Sequence, residues 1–245
     1  MEEISYVGAA FPVRGDLSEA HARAWRRLSE PGTHWSGAER VAIAAELRHA
    51  RGCRVCAERN AALSPFSITA PHDSLGALEP AAVDVIHRVA TDPRRLTRAW
   101  FERILASGLT DGQYVELIGV IVTVLSIDVF CRGVDVQPHP LPEPREGKAS
   151  GYRPPAARLD VAWVPMVPSR GAVGAEADLW TSGRTANVVR ALSLVPDEVR
   201  TLKDLGGAHY IPFEKMADLR AGRSLDRRQI ELVAGRVSAL RECFY

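Results

Sequence analysis

The stretch from Tyr114 to about Cys131 constrains this chain more than any other part of it. It is apolar on most sides, and Thr110 or Asp111 stands ready to cap its start. A helix with no polar face must be covered by other elements, so this one is expected at the centre of the fold. Its most apolar part, Leu117–Ile127, is too short to span a bilayer of about 30 Å. No run of alternating strand periodicity accompanies it, and an all-α fold follows.

The flanking segments read as helices with recognisable ends. Asp16 suits the N-cap of a helix reaching Glu30, where Pro31-Gly32 stops it. A second helix is expected from Gly37 to Arg51 with Gly52 as its stop, and a third from Cys53 to about Leu63. Glu79-Pro80 opens a helix to about Ala90, and Asp92-Pro93 opens another carrying Leu96, Trp100, Ile104 and Leu105 on one face. Residues 135–174 hold half of the sixteen prolines and break the pattern. They predict a linker, or an arm that wraps a neighbour with Trp163, Val164 and Met166. Helices are expected again at Arg184–Leu194, Asp197–Leu205, Phe213–Ala221 and Asp226–Glu242. Residues 1–134, 135–174 and 175–245 thus divide the chain into a helical unit, an arm and a second, shorter helical unit.

The formal net charge of +1 gives no reason to expect nucleic acid as a partner. The acidic start Met1-Glu2-Glu3 is unlike a signal peptide, which places the protein in the cytoplasm with no membrane association. Four cysteines, Cys53, Cys56, Cys131 and Cys243, are too few for a disulfide scaffold of this length. In a reducing compartment the spacing Cys53-x-x-Cys56 points to redox or metal chemistry, with a buried structural pair as the plain alternative. Zinc would need two further ligands. His34, His72, His87, His139 and His209 show no ligand spacing, so neither metal nor cofactor is expected. Cys131 reads as a packed core residue.

An internal offset of 190 residues relates Ser36 to Asp226 and Cys53 to Cys243. Ser36-x-x-Glu39 and Asp226-x-x-Gln229 both fit a capping box, and Ile43, Leu47 and Ala50 correspond to Val233, Val237 and Leu240 as a buried stripe. A capped helix running into Cys53-x-x-Cys56 and the segment Leu109–Val120 together resemble the alkylhydroperoxidase D and carboxymuconolactone decarboxylase superfamily. Gln229–Tyr245 resembles its peroxidase-related branch. The resemblance covers about residues 17–134 and 184–245, a complete repeat and the start of another, in an alkylhydroperoxidase D-like bundle.

Such a resemblance implies a thiol peroxidase-like oxidoreductase that works without a bound cofactor. It further implies a homo-oligomer and an external dithiol reductant of lipoyl or thioredoxin-like type. In the family the second cysteine attacks, which implies Cys56 as peroxidatic and Cys53 as resolving. At the start of a helix the exposed N–H groups favour a thiolate. The family's relay glutamate and histidine fall on Val41 and Asn60, and neither side chain can act as a base. Glu46 and His49 could substitute along one helical face, but near a helix C-terminus both read more readily as a solvated face. Arg54 and Arg59 read as surface charges near the thiols. The second copy keeps the relay spacing, with Glu231 twelve residues before Cys243. The family pattern would next place the attacking residue at position 246; a UGA codon read as selenocysteine is the expectation there, with a truncated chain or a decayed repeat that kept only its first cysteine as the alternatives. Glu231 and Cys243 would then be half of a second site. The competing expectation is a non-peroxidatic member, an assembly module or lyase, with vestigial cysteines.

Overall fold

A computed structural model describes residues 4–180, 185–241 and 243. Among these there is no β-strand, only an isolated antiparallel bridge between Arg158 and Met166. The helices are α1 (Gly15–Ser29), α2 (Gly37–His49), α3 (Arg54–Ala61), α4 (Pro80–Thr91), α5 (Arg98–Ala106), α6 (Asp111–Gly133), α7 (Asn187–Arg190), α8 (Pro196–His209) and α9 (Arg227–Leu240). The fold is all-α, as the periodicity requires.

Local chemistry sets most of the helix starts. Ser36 and Glu39, Thr110 and Gln113, and Asp226 and Gln229 each form a reciprocal capping box that satisfies two otherwise orphaned N–H groups. Several boundaries differ from expectation. α1 starts at Gly15 with Arg14 as its N-cap, so Asp16 lies in the first turn rather than capping it, and α8 runs on to His209. Pro93–Arg95 is only a 3₁₀ turn, and α5 begins after Thr97, whose hydroxyl accepts from the Trp100 N–H at 3.2 Å. The helix expected over Phe213–Ala221 shrinks to the turn Phe213–Lys215. There the Asp218 carboxylate accepts the Arg220 N–H at 2.9 Å, a local bond that competes with helix continuation. The helix expected over Arg184–Leu194 is confined to α7, and residues 191–194 continue as turns up to the extended Val195 before Pro196; Arg184 and Glu242 lie outside the described residues.

α6 is the central helix. It packs against α2, α4 and α8, and Leu117, Ile121, Val124 and Ile127 are fully buried. At 23 residues it is longer than its apolar centre suggested and would be long enough to cross a membrane. Most of its apolar stretch is instead covered by protein, as in the core helix of a soluble protein. Arg40 of α2 reaches between α6 and α8, pairing with Glu116 and, at 2.9 Å, with Glu198, all three buried. Gly119 makes this approach possible, since a Cβ there would stand 2.3 Å from a Glu198 carboxylate oxygen.

The Pro-rich segment wraps its own chain. Its Pro140 carbonyl accepts the Trp25 indole N–H at 2.8 Å, and the Arg145 and Gly151 N–H groups donate to Ser29 and Thr33 carbonyls at 2.8 and 2.7 Å. Val164 and Met166 are buried, while Trp163 lies against Phe101 with its outer face exposed. The apolar stripe on α9 is a correction. Leu232, Val233, Val237 and Leu240 are all more than half exposed, because no element of the described chain packs over that face.

A cluster of rings closes one end of the core. His21 lies between Tyr6 and His209, with its Nε2 2.5 Å from that of His209. Burial, followed by the charges of His209 and His139, pulls the His21 pKa from 6.5 down to about 3. The folded chain therefore holds His21 neutral where the unfolded chain protonates it. Between about pH 6.5 and 3 unfolding takes up a proton, so stability should fall as pH falls, by up to about 1.4 kcal/mol per pH unit. Urea denaturation at pH 7 and pH 5 tests this. His21→Gln should flatten the dependence, and an unchanged slope would remove His21 as its cause.

Candidate functional site

α2 ends at His49 and tightens into the 3₁₀ turn Ala50–Gly52, which delivers Cys53 to the N-cap position of α3. Cys56 then lies in the first turn of α3. Its neighbour Arg54 has its N–H capped from outside by the Asp73 carboxylate at 2.9 Å. Cys53 and Cys56 are both buried, in a small apolar cluster with Val55 and Ile68.

Two imidazoles converge on these sulfurs. His87, from the buried face of α4, places Nδ1 3.4 Å from Cys56 Sγ. His72, from the loop between α3 and α4, places Nδ1 3.4 Å from Cys56 Sγ and 3.8 Å from Cys53 Sγ. The outer nitrogen of each ring meets a carboxylate. His87 Nε2 lies 2.8 Å from Glu46 Oε1, and His72 Nε2 lies 3.0 Å from Asp84 Oδ1. The carboxylates are held in turn. Glu46 Oε2 accepts from the Leu75 N–H at 3.0 Å and the Ser74 hydroxyl at 3.3 Å, and Asp84 Oδ2 accepts the Trp100 indole N–H at 2.7 Å.

The electrostatics follow from this arrangement. Burial pushes the Cys56 thiol up, but hydrogen bonds from His72 and His87 more than offset it and bring the thiol down to about 5. Burial likewise pushes Cys53 up, and the Cys56 N–H, His72 and the Asp73 N–H bring it below its usual value. Burial lowers His72, while Asp84 and the two sulfurs raise it to about 10. His87 is also raised, burial being outweighed by Cys56 and Glu46. Thiolate and imidazolium stabilise each other here.

A cavity of about 570 Å³ adjoins the site, lined by Arg59, Phe66, His72, Asp84, Arg88 and Trp100 among others. His72 belongs to its wall and also contacts both sulfurs, while neither cysteine lines the cavity.

The sequence placed Cys53 and Cys56 correctly at a helix start but misjudged their surroundings. Glu46 is a buried partner of His87, not part of a solvated face, because α4 lies over it. His49 stays half-buried and outside the cluster. Arg54 is a surface residue paired with Glu58, whereas Arg59 is buried, its guanidinium donating to the Ile68 carbonyl at 3.0 Å. Asn60 donates to the Thr91 carbonyl at 3.1 Å, and Val41 is half-buried. Cys131 is a core residue, and burial pushes its thiol up.

Glu231 is exposed and bonded to Tyr210 and Arg227, each at 2.6 Å, and Cys243 is exposed beyond the end of α9. Glu231 lies within α9 and Cys243 beyond its end at Leu240, no bond joins the two, and neither is bonded to the groups around Cys53 and Cys56. The residues missed were His72, His87 and Asp84. His87 left a trace in the sequence, a polar residue on the same helical stripe as Val83, Ile86 and Ala90. His72 left none, being in a loop.

Comparison of the chain with protein-family models, with curated proteins and with solved structures finds no match. Chemistry alone therefore speaks for the site. Cys53, Cys56, His72 and His87 can work as an activated dithiol, and the same four donors lie within 4.8 Å of one another, as metal ligands would.

Proposed function

We propose that the protein is a dithiol oxidoreductase that reduces hydroperoxides, with Cys56 attacking and Cys53 resolving. The observation that carries this reading is the buried chain Glu46–His87–Cys56, closed at 2.8 and 3.4 Å, with Cys53 one helical turn away. It supplies from α2 and α4 the base that Val41 and Asn60 cannot supply. The sequence resemblance of the capped helix and Cys53-x-x-Cys56 to the alkylhydroperoxidase D superfamily would agree with this chemistry.

In the reaction His87 Nδ1 takes the Cys56 proton while Glu46 holds the ring by Nε2. The thiolate attacks one peroxide oxygen and the O–O bond breaks. The sulfur becomes a sulfenic acid, and the leaving alkoxide takes the proton from His87 and departs as an alcohol. The Cys53 thiol then attacks the Cys56 sulfur, forming a disulfide and releasing water. An external dithiol returns both cysteines to thiols. The peroxide approaches from the cavity, which requires the His72 wall to open.

The test is a thiol count and mass measurement on metal-free, reduced protein after one equivalent of hydroperoxide. Two thiols should be lost in wild type and none in Cys56→Ser, while Cys53→Ser should hold a sulfenic acid that a nucleophilic probe traps. Equal trapping in the two variants would overturn the assigned roles. Unreactive thiols in the reduced protein would overturn the function.

A further inference from the structure

We infer that Cys53, Cys56, His72 and His87 bind a zinc ion, and that this ion fastens the loop between α3 and α4 over the dithiol. A tetrahedral zinc with bonds of about 2.3 Å to sulfur and 2.0–2.1 Å to imidazole nitrogen sets sulfur–nitrogen edges of about 3.6 Å. The edges here are 3.4 Å for Cys56 to His72, 3.4 Å for Cys56 to His87 and 3.8 Å for Cys53 to His72. The whole donor set fits within 4.8 Å.

The outer partners meet the second requirement of such a site. Each imidazole engages a carboxylate through Nε2, at 2.8 Å to Glu46 and 3.0 Å to Asp84, so each presents Nδ1 to the same point between the sulfurs. Leu75, Ser74 and Trp100 hold those carboxylates in position. Two thiolates and two neutral imidazoles neutralise a divalent ion, and this nitrogen and sulfur set suits zinc and excludes the oxygen-seeking magnesium and calcium. Four protein ligands leave no open position, so the ion is structural in type.

The loop supplies the reason for an ion. Between Ala61 and Pro80 no residue is buried, so apolar packing does little to hold this stretch. His72, the bonds to Glu46, the Asp73 cap on the Arg54 N–H and the Arg59 bond to the Ile68 carbonyl tie it down, and zinc would cross-link it to α3 and α4 at once. With His72 fixed, the wall between cavity and thiols stays shut. A sulfur in a disulfide has no thiolate charge to give to zinc, so metal binding and dithiol oxidation exclude each other. The inference thus adds a control on the dithiol proposed above, yet its test does not depend on peroxide.

The full chain, reduced and metal-free, is titrated with Co²⁺ in place of zinc. The expected result is one equivalent bound, with intense tetrahedral d–d bands, sulfur-to-cobalt charge transfer in the near ultraviolet, and displacement by zinc. Zinc should also slow hydrogen exchange in residues 62–79. Cys56→Ser and His87→Ala should lose the tetrahedral spectrum. Asp84→Asn, which alters no ligand, should keep the spectrum and bind about 10- to 100-fold more weakly, and so separates ligand loss from misfolding. Weak octahedral cobalt in wild type, or tetrahedral binding that survives Cys56→Ser, would overturn the inference. Tetrahedral cobalt in a protein whose free thiols ignore peroxide would uphold zinc and remove the oxidoreductase; peroxide-reactive thiols without tetrahedral cobalt would do the reverse.

Discussion

Replacing His87 with glutamine in the metal-free protein is expected to slow oxidation of Cys56 by hydroperoxide by about 10²- to 10⁴-fold, the usual contribution of a positioned acid–base group. Glutamine retains polarity and approximate size but cannot accept the thiol proton and then return it to the leaving alkoxide. Glu46→Gln should have a smaller effect, since it weakens the 2.8 Å hold on the ring without removing the base. Stopped-flow thiol oxidation gives both rates directly. Asn60→His should add nothing, because His87 already stands 3.4 Å from the Cys56 sulfur and Asn60 faces the Thr91 carbonyl. A His87→Gln rate within a factor of three of wild type would remove the relay. His72 would then be the remaining base, since it lies as close to Cys56 Sγ as His87 does.

Replacing Arg40 with methionine is expected to destabilise the fold by about 3–5 kcal/mol, the cost of leaving buried charge without its partner. Arg40 is the cation between Glu116 and Glu198, and all three side chains are almost completely buried. Burial already pushes the Glu116 carboxyl up against the pull of Arg40. Without the guanidinium, two carboxylates would face each other between α6 and α8. Urea midpoints for Arg40→Met and for the triple variant Arg40→Met, Glu116→Gln, Glu198→Gln decide the cause. The triple variant should recover part of the loss, because no unpaired buried charge remains. A single variant within 1 kcal/mol of wild type would show that this cluster does not hold the bundle together.

The sequence by itself determined the helical class, the central position of α6, the capping boxes at Ser36 and Asp226, and a cap for α6 at Thr110 or Asp111. It also placed Cys53 and Cys56 at a helix start. These are local properties: periodicity, a cap three residues from its partner, a short apolar run. Its errors arose where distant segments meet. Glu46 at the end of α2 resembles any solvated acid until α4 covers it, and Arg59 resembles a surface arginine until the following loop folds over it. Conversely, the apolar stripe of α9 promised burial that no described element provides. The cysteine site was legible only in its nearest part. His72 and His87 stand 16 and 31 residues beyond Cys56, one in an irregular loop and one on the next helix. No local pattern announces such a meeting, because packing of α4 against α2 and α3 sets their distance to sulfur. Chain order fixed which groups were available, and tertiary packing alone decided that two imidazoles and two carboxylates would surround one pair of thiols.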